Sequence, residues 1–142
     1  MAEISHAQAR EIVAKALAHG RGKNMQPLSV VVLDSGGHPK VFDREDGASP
    51  GRFKIAEAKA FGTLMLGIGG FAQRERAENQ PYFMGTVNGA FGGKVLPVPG
   101  GVLVRNPKGD VIGAVGVTGD TSENDAEAAV AGITAAGFTA EA

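Results

Sequence analysis

Leu28-Ser-Val-Val-Val-Leu33, followed by Asp34-Ser-Gly-Gly37 and His38-Pro-Lys-Val-Phe42, is the stretch that decides the fold. The first run is β-branched and too short for a helix of ordinary length, so it reads as a buried strand. Asp-Ser-Gly-Gly is turn chemistry, and the run after it returns as the second strand of a hairpin. A clearer hairpin follows in the second half: Val102 to Arg105, the turn Asn106-Pro-Lys-Gly-Asp110, then Val111 to Val117. Two hairpins in one short chain imply an antiparallel sheet. Lys94 to Val98 reads as a further short strand.

Helical spacing fills the intervals. Ser5 suits the N-cap of a helix running to about Ala18, with Ile12, Val13, Ala16 and Leu17 as its apolar stripe. His19-Gly20 reads as its end, glycine being a natural residue just past a helix C-terminus. Arg52 to Leu66 carries Phe53, Ile55, Ala56, Ala60 and Leu64 at helical spacing, and Phe71 to Asn79 reads as a second helix. The glycines and Pro81 between Gln80 and Gly93 argue for a long irregular loop. Ser122 to Ala136 is alanine-rich with acids in its first turn and stops at Gly137. The order is α, ββ, αα, two or three strands, α. That is an α/β chain of the α+β kind, a single domain over residues 1–142 with helices packed on an antiparallel sheet.

Composition narrows the function classes. The 142 residues are 43% hydrophobic and 20% charged, an ordinary globular balance. Fourteen basic against fifteen acidic side chains give a net charge of -1, with no run of more than two adjacent basic residues, which argues against nucleic-acid binding. Without cysteine there is no disulfide framework, thiolate zinc site or iron–sulfur cluster. The segment MAEISHAQAR lacks the charged-then-apolar pattern of a signal peptide, and no apolar stretch approaches the roughly 20 residues that span a bilayer. The expectation is a cytoplasmic protein with no membrane partner. Glycine is abundant, 22 residues, against a usual share of about 7%, which suggests tight turns and close backbone approaches.

Candidate functional residues come from loops and one helix face. His38, at a hairpin tip after two glycines, reads either as a metal or haem-iron ligand or proton shuttle, or as a turn residue without a task. His6 and His19 lie at the two ends of the first helix, and three histidines without a ligand spacing make no metal motif. Arg44 is placed to clamp a carboxylate while Asp46 accepts a proton. The competing reading has Asp46 or Ser49 capping the next helix and Arg44 in a surface ion pair. Lys59 lies among Ile55, Ala56, Ala60 and Thr63. Its ammonium is therefore either desolvated, as a base, carboxylate anchor or Schiff-base nucleophile, or carried out to water on a packed stem. Gly113-Ala-Val-Gly-Val-Thr-Gly119 reads as close packing or a turn, with Thr118 its pocket-facing group. Gly67-Ile-Gly-Gly-Phe-Ala72 fits a dinucleotide pattern but follows a helix, not a strand, and is set aside. Asp34-Ser-Gly-Gly37 lacks any base partner for Ser35 and is a turn.

In order along the chain, Val31-Val-Leu-Asp-Ser-Gly-Gly-His-Pro-Lys-Val-Phe-Asp-Arg-Glu-Asp-Gly-Ala48, Ala56-Glu-Ala-Lys-Ala60, Pro99-Gly-Gly101, Gly113 to Gly119 and Asp125 with Ala128 and Ala131-Gly132 form a set. The set resembles the GlcG/HbpS family of haem-degrading and haem-binding proteins, over roughly residues 5–138. The resemblance implies a profilin-like fold with a central antiparallel sheet, and homo-oligomers of up to eight subunits. It implies haem as a possible cofactor in some members; one group is fused to a corrinoid adenosyltransferase, and others sit in catabolic pathways. The expectation that follows is a small-molecule-binding protein holding haem or a small carboxylate near a subunit interface, contacted by His38, Arg44, Asp46, Lys59 and Thr118. The alternative is a catabolic isomerase, tautomerase or lyase acting on a keto or enol acid, with Lys59 or His38 as the proton-transfer group. Both require the hairpin tip, the acidic loop and the lysine helix to share one cavity.

Overall fold

The computed structural model describes residues 3–142. In chain order it contains α1 (His6–Gly22), β1 (Ser29–Asp34), β2 (Pro39–Arg44), α2 (Arg52–Leu66), α3 (Gly70–Asn79), α4 (Pro81–Ala90), β3 (Gly101–Arg105), β4 (Val111–Thr118), α5 (Ser122–Ala135) and β5 (Thr139–Glu141). The five strands form one sheet in the order β2-β1-β4-β3-β5, and every neighbouring pair is antiparallel. The expected α+β architecture is therefore what the chain adopts.

Strand alternation sorts the core into two layers. Val30, Val32, Val102, Val104, Val115 and Val117 face α1 and α5, where Ile12, Val13, Ala16, Ala128, Ala129 and Ile133 are buried. Val31, Leu33 and Ala114 face the other way, against Ala56 and Ala60 of α2, with Phe42, Phe53, Phe61 and Leu64 closing the layer. Both faces of β1 and β4 are covered, which explains why β1 reads as an unbroken apolar run. The glycine spacing of β4 is a packing device. At Gly116 a Cβ would run into the carbonyl oxygen of Ala56, so α2 rests directly on the strand backbone.

Four expectations are corrected. First, α1 continues to Gly22 because Gly20 is an internal glycine; a Cβ there would meet Leu28 Cδ1 at 2.6 Å. Second, residues 81–90 are helical, with Pro81 at the first turn where its missing N–H costs nothing. Third, Lys94 to Val98 is not a strand; it runs beside α2, Leu96 N–H donating to the Ala58 carbonyl at 3.4 Å. A short β5 instead extends the sheet beyond β3. Fourth, neither Asp46 nor Ser49 caps α2, whose start at Gly51 has no side-chain cap. The N-cap of α1 is as read: Ser5 Oγ accepts from Gln8 N–H at 3.1 Å and Gln8 Oε1 accepts from Ser5 N–H at 2.9 Å. Ser5→Ala should lower stability by about 1 kcal/mol, read as a shift of the urea midpoint at unchanged slope.

Candidate functional site

The strand register decides which candidate residues meet. Leu33 pairs with Pro39 at one end of the first hairpin and Ser29 pairs with Arg44 at the other. His38 is thus separated from Arg44 by the length of β2, about 20 Å at roughly 3.3 Å per residue. His38 is exposed on its turn, its backbone N–H donating to Asp34 Oδ1 at 3.0 Å. Arg44 and Asp46 do come together, lining an open depression of about 450 Å³ with Arg21, Pro27 and Glu45. Glu45 and Arg21 are committed there to the fold. Glu45 Oε1 accepts from Leu28 N–H at 2.7 Å, Oε2 faces Arg21 Nε at 3.1 Å, and Arg21 Nη2 donates to the carbonyls of Met25 and Gln26.

Lys59 and Thr118 do not line that depression; Thr118 lies two strands from Arg44 in the same cross-strand row, with Ser29 between them, and Lys59 is buried between α2 and the sheet. The Lys59 ammonium donates to the Val117 carbonyl at 3.0 Å and to Asp125 Oδ2 at 3.1 Å. The two side chains of the pair are only 4% and 2% exposed. Gly100, at φ +120°, covers the ammonium; a Cβ there would come within 2.9 Å of Lys59 Nζ. Burial pushes the Lys59 pKa below its ordinary value, against the pull of the Asp125 carboxylate. Burial likewise pushes the Asp125 carboxyl up, with the ammonium and the Asp120 backbone N–H opposing it. Thr118 Oγ1 accepts from Arg52 Nη1 at 2.8 Å. The structure therefore groups Arg44 with Asp46, and Lys59 with the end of β4 carrying Thr118. It leaves His38 apart from both.

A groove between α1 and β2 was not singled out by the sequence reading. His6, Arg10, Val13, Ala14, Lys40, Val41, Phe42 and Asp43 line an open space of about 480 Å³. His6 and Arg10 are four apart on α1 and so share a helix face, which the sequence does disclose. That Lys40, Val41 and Asp43 lie beside them depends on β2 passing α1 in space, which the sequence does not disclose. The groove sets an imidazole, two cations and the Asp43 carboxylate beside Ala14 and the half-buried Val41. Such a surface can ligate a metal centre at one point, hold carboxylates at another and cover an apolar disc between them. By contrast His19 is engaged, its Nε2 lying 2.6 Å from Glu127 Oε2.

The comparisons with known proteins agree with this architecture. The model of a family described as haem degrading protein, HbpS-like, matches residues 4–134. No curated protein matches the chain in sequence. Among solved structures it is similar to PduOC crystallised with haem, at a TM-score of 0.86 and 21% identity over 99% of each chain. It is also similar to the Klebsiella pneumoniae protein ORFY, at a TM-score of 0.81 and 26% identity over 94% of this chain and 90% of that one. HbpS itself aligns at a TM-score of 0.82 and 25% identity, covering 95% of this chain and 91% of that one.

Proposed function

Because this chain belongs to the HbpS-like family of haem degrading proteins, we propose that it binds haem, or a small carboxylate-bearing molecule of similar shape, in the groove between α1 and β2. One observation carries the reading. His6 lines a groove together with two cations, Arg10 and Lys40, one carboxylate, Asp43, and the apolar Ala14 and half-buried Val41. Haem has an iron that takes an imidazole, two propionates that take cations, and an apolar ring face. The residues fit that group in part: His6 would ligate, Arg10 and Lys40 would hold the carboxylates away from Asp43, and Ala14 and Val41 would cover one edge of the ring, the rest of its face falling to the second copy. Bound haem would supply redox and oxygen chemistry at its iron. Ligand sites usually bury 70–90% of their ligand, and this groove is open on one side. A second copy of the chain closing over it completes the proposal, placing the site at a subunit interface of a cytoplasmic homo-oligomer.

The isomerase or lyase reading has less support, since Lys59 would have to leave two hydrogen bonds and emerge past Gly100 to reach a substrate. Haemin titration followed by absorbance near 400 nm separates the readings. The expected result is a saturable band that His6→Ala abolishes or weakens at least about tenfold, the loss of roughly one strong ligand contact, while His38→Ala leaves it unchanged. Loss in His38→Ala alone would move the site to the hairpin tip. A flat titration by the native protein would overturn haem as the ligand. Native mass spectrometry of the same samples reads subunit number and stoichiometry together.

A further inference from the structure

Helix α4 is thinly covered. It packs chiefly against α3, and Met84 is its one buried side chain. Tyr82 is 82% exposed, and with Phe83, Thr86, Val87 and Ala90 it lines an apolar hollow of about 320 Å³. Nothing from Pro81 to Gly93 carries a charge, in a chain where one residue in five does. A surface helix ordinarily turns a charged or polar side to water. This one has an uncharged side left over after α3 is packed.

That side has a shape of its own. Tyr82, Gly85, Thr86, Gly89 and Ala90 are all exposed, and at spacings of three, four and seven they run along one stripe of the helix. Tyr82 stands up from it as a knob. Gly89 is seven residues on, about 10 Å along the axis at 1.5 Å per residue. It has nothing within 4 Å of its Cβ position, so the backbone there is bare and forms a hole. A second α4 laid antiparallel, with Gly85 facing the partner's Thr86, sets both knobs over both holes at once, as a twofold contact requires. The charges at the two ends favour that direction. Glu75 and Glu78 precede the uncharged stretch and Lys94 follows it; all three are exposed, and Lys94 reaches Glu57 only at 3.9 Å. Antiparallel pairing brings Glu78 toward the partner's Lys94, whereas parallel pairing would set like charges together. The arginines of α3 are already engaged, Arg76 over the Phe83 ring at 4.0 Å and Arg74 on Glu123 at 2.9 Å.

We propose that α4 pairs antiparallel with α4 of a second copy of this chain, Tyr82 of each seated over the partner's Gly89. A membrane surface is a poorer occupant, because helices that lie on lipid carry Lys or Arg on their polar side and α4 has neither. An unrelated protein would have to reproduce the same offset of knob and hole, which a second copy has by symmetry. A ten-residue helix is about 15 Å long, so the contact is small and belongs with the weak class of interfaces. It lies on the α2 side of the sheet, opposite the face that α1 covers. The α1–β2 groove is therefore left open to a different copy, and the two contacts can fail separately.

Sedimentation velocity of the full chain from about 1 to about 100 μM tests it, the range in which a weak contact assembles. The mass of the native assembly should double across that range. Gly89→Leu fills the hole without meeting anything in its own subunit and should weaken the doubling at least about tenfold, as should Tyr82→Ala, the loss of an aromatic anchor. Thr86→Glu and Thr86→Lys each set like charges beside the twofold axis and should stop it. An equal mixture of those two variants should restore it, since opposite charges then meet. Haemin titration reads the α1–β2 groove independently, and a flat titration there leaves this result standing. No doubling by the native protein, doubling undiminished in Gly89→Leu, or a mixture of the charged variants no more associated than its components overturns the pairing and leaves α4 to a foreign partner. The mixture decides even if Gly89→Leu folds poorly.

Discussion

Gly116→Ala should destabilise the protein by about 3 kcal/mol, an unusually large effect for one methyl group. The cause is the depth at which α2 sits on the sheet. A Cβ at residue 116 would enter the carbonyl oxygen of Ala56 and approach Ala60 Cβ to 3.1 Å. The first obstacle is backbone, so no rotamer change can make room. The helix would have to lift, and Ala56, Ala60, Val31 and Leu33 would lose their closest contacts together. Small domains hold only about 5–15 kcal/mol in total, so the urea midpoint should fall steeply. Gly85→Ala is the matched control. That glycine lies in α4 with nothing within 4 Å of its Cβ position, and the same change should stabilise by about 0.5–1 kcal/mol through helix propensity. Equal midpoints for the two variants would mean that α2 does not rest on Gly116.

The same glycines explain where the sequence was legible and where it was not. Hairpins announce themselves through β-branched runs around turn residues, so β1, β2, β3 and β4 are found within a residue or two. Glycine is ambiguous because one residue type serves turns, caps and close contacts. At Gly20 it marks a contact with Leu28, yet in sequence it looks like a helix stop. In α4, Gly85 and Gly89 dilute the helical signal of Pro81–Ala90 and suggest a loop. The three residues of β5 are too few to show alternation, and their place is set by pairing with β3. The site divides along the same line. The local environment of Lys59 is readable from helical spacing, and its burial follows. Its partner Asp125, 66 residues away, reads locally as an acid that favours a helix N-terminus. His6 and Arg10 share a face by spacing alone, but the groove exists only because β2 passes them.

Lys59→Met should be at least as damaging, costing about 3–5 kcal/mol at neutral pH, because it strands the Asp125 carboxylate in the interior. That carboxylate would keep the Asp120 N–H, 2.9 Å from Oδ1, and lose the ammonium on Oδ2. A Lys59→Met, Asp125→Leu double variant removes both charges and should recover most of the loss, since apolar replacement of a whole buried pair is often neutral. The pH dependence carries the sign. Burial already holds the Asp125 pKa above its ordinary value, and Lys59 is the main opposing influence, so removing the ammonium raises it further. A group whose folded pKa lies above its unfolded one contributes stability below the unfolded value and loses it as pH climbs through the folded value. The single variant should therefore come close to the native protein in mild acid and fall away toward neutrality. In the native protein Lys59 acts in the opposite sense: its folded pKa is lowered, so the unfolded chain binds the extra proton and stability rises with pH between the folded and unfolded values. Urea midpoints of the native, single and double variants across pH measure all three slopes. A single variant as stable as the native protein at neutral pH would show that the pair is not sealed from water. A double variant that folds and still binds haemin would confine Lys59 to holding α2 on the end of β4, where Arg52 and Thr118 meet.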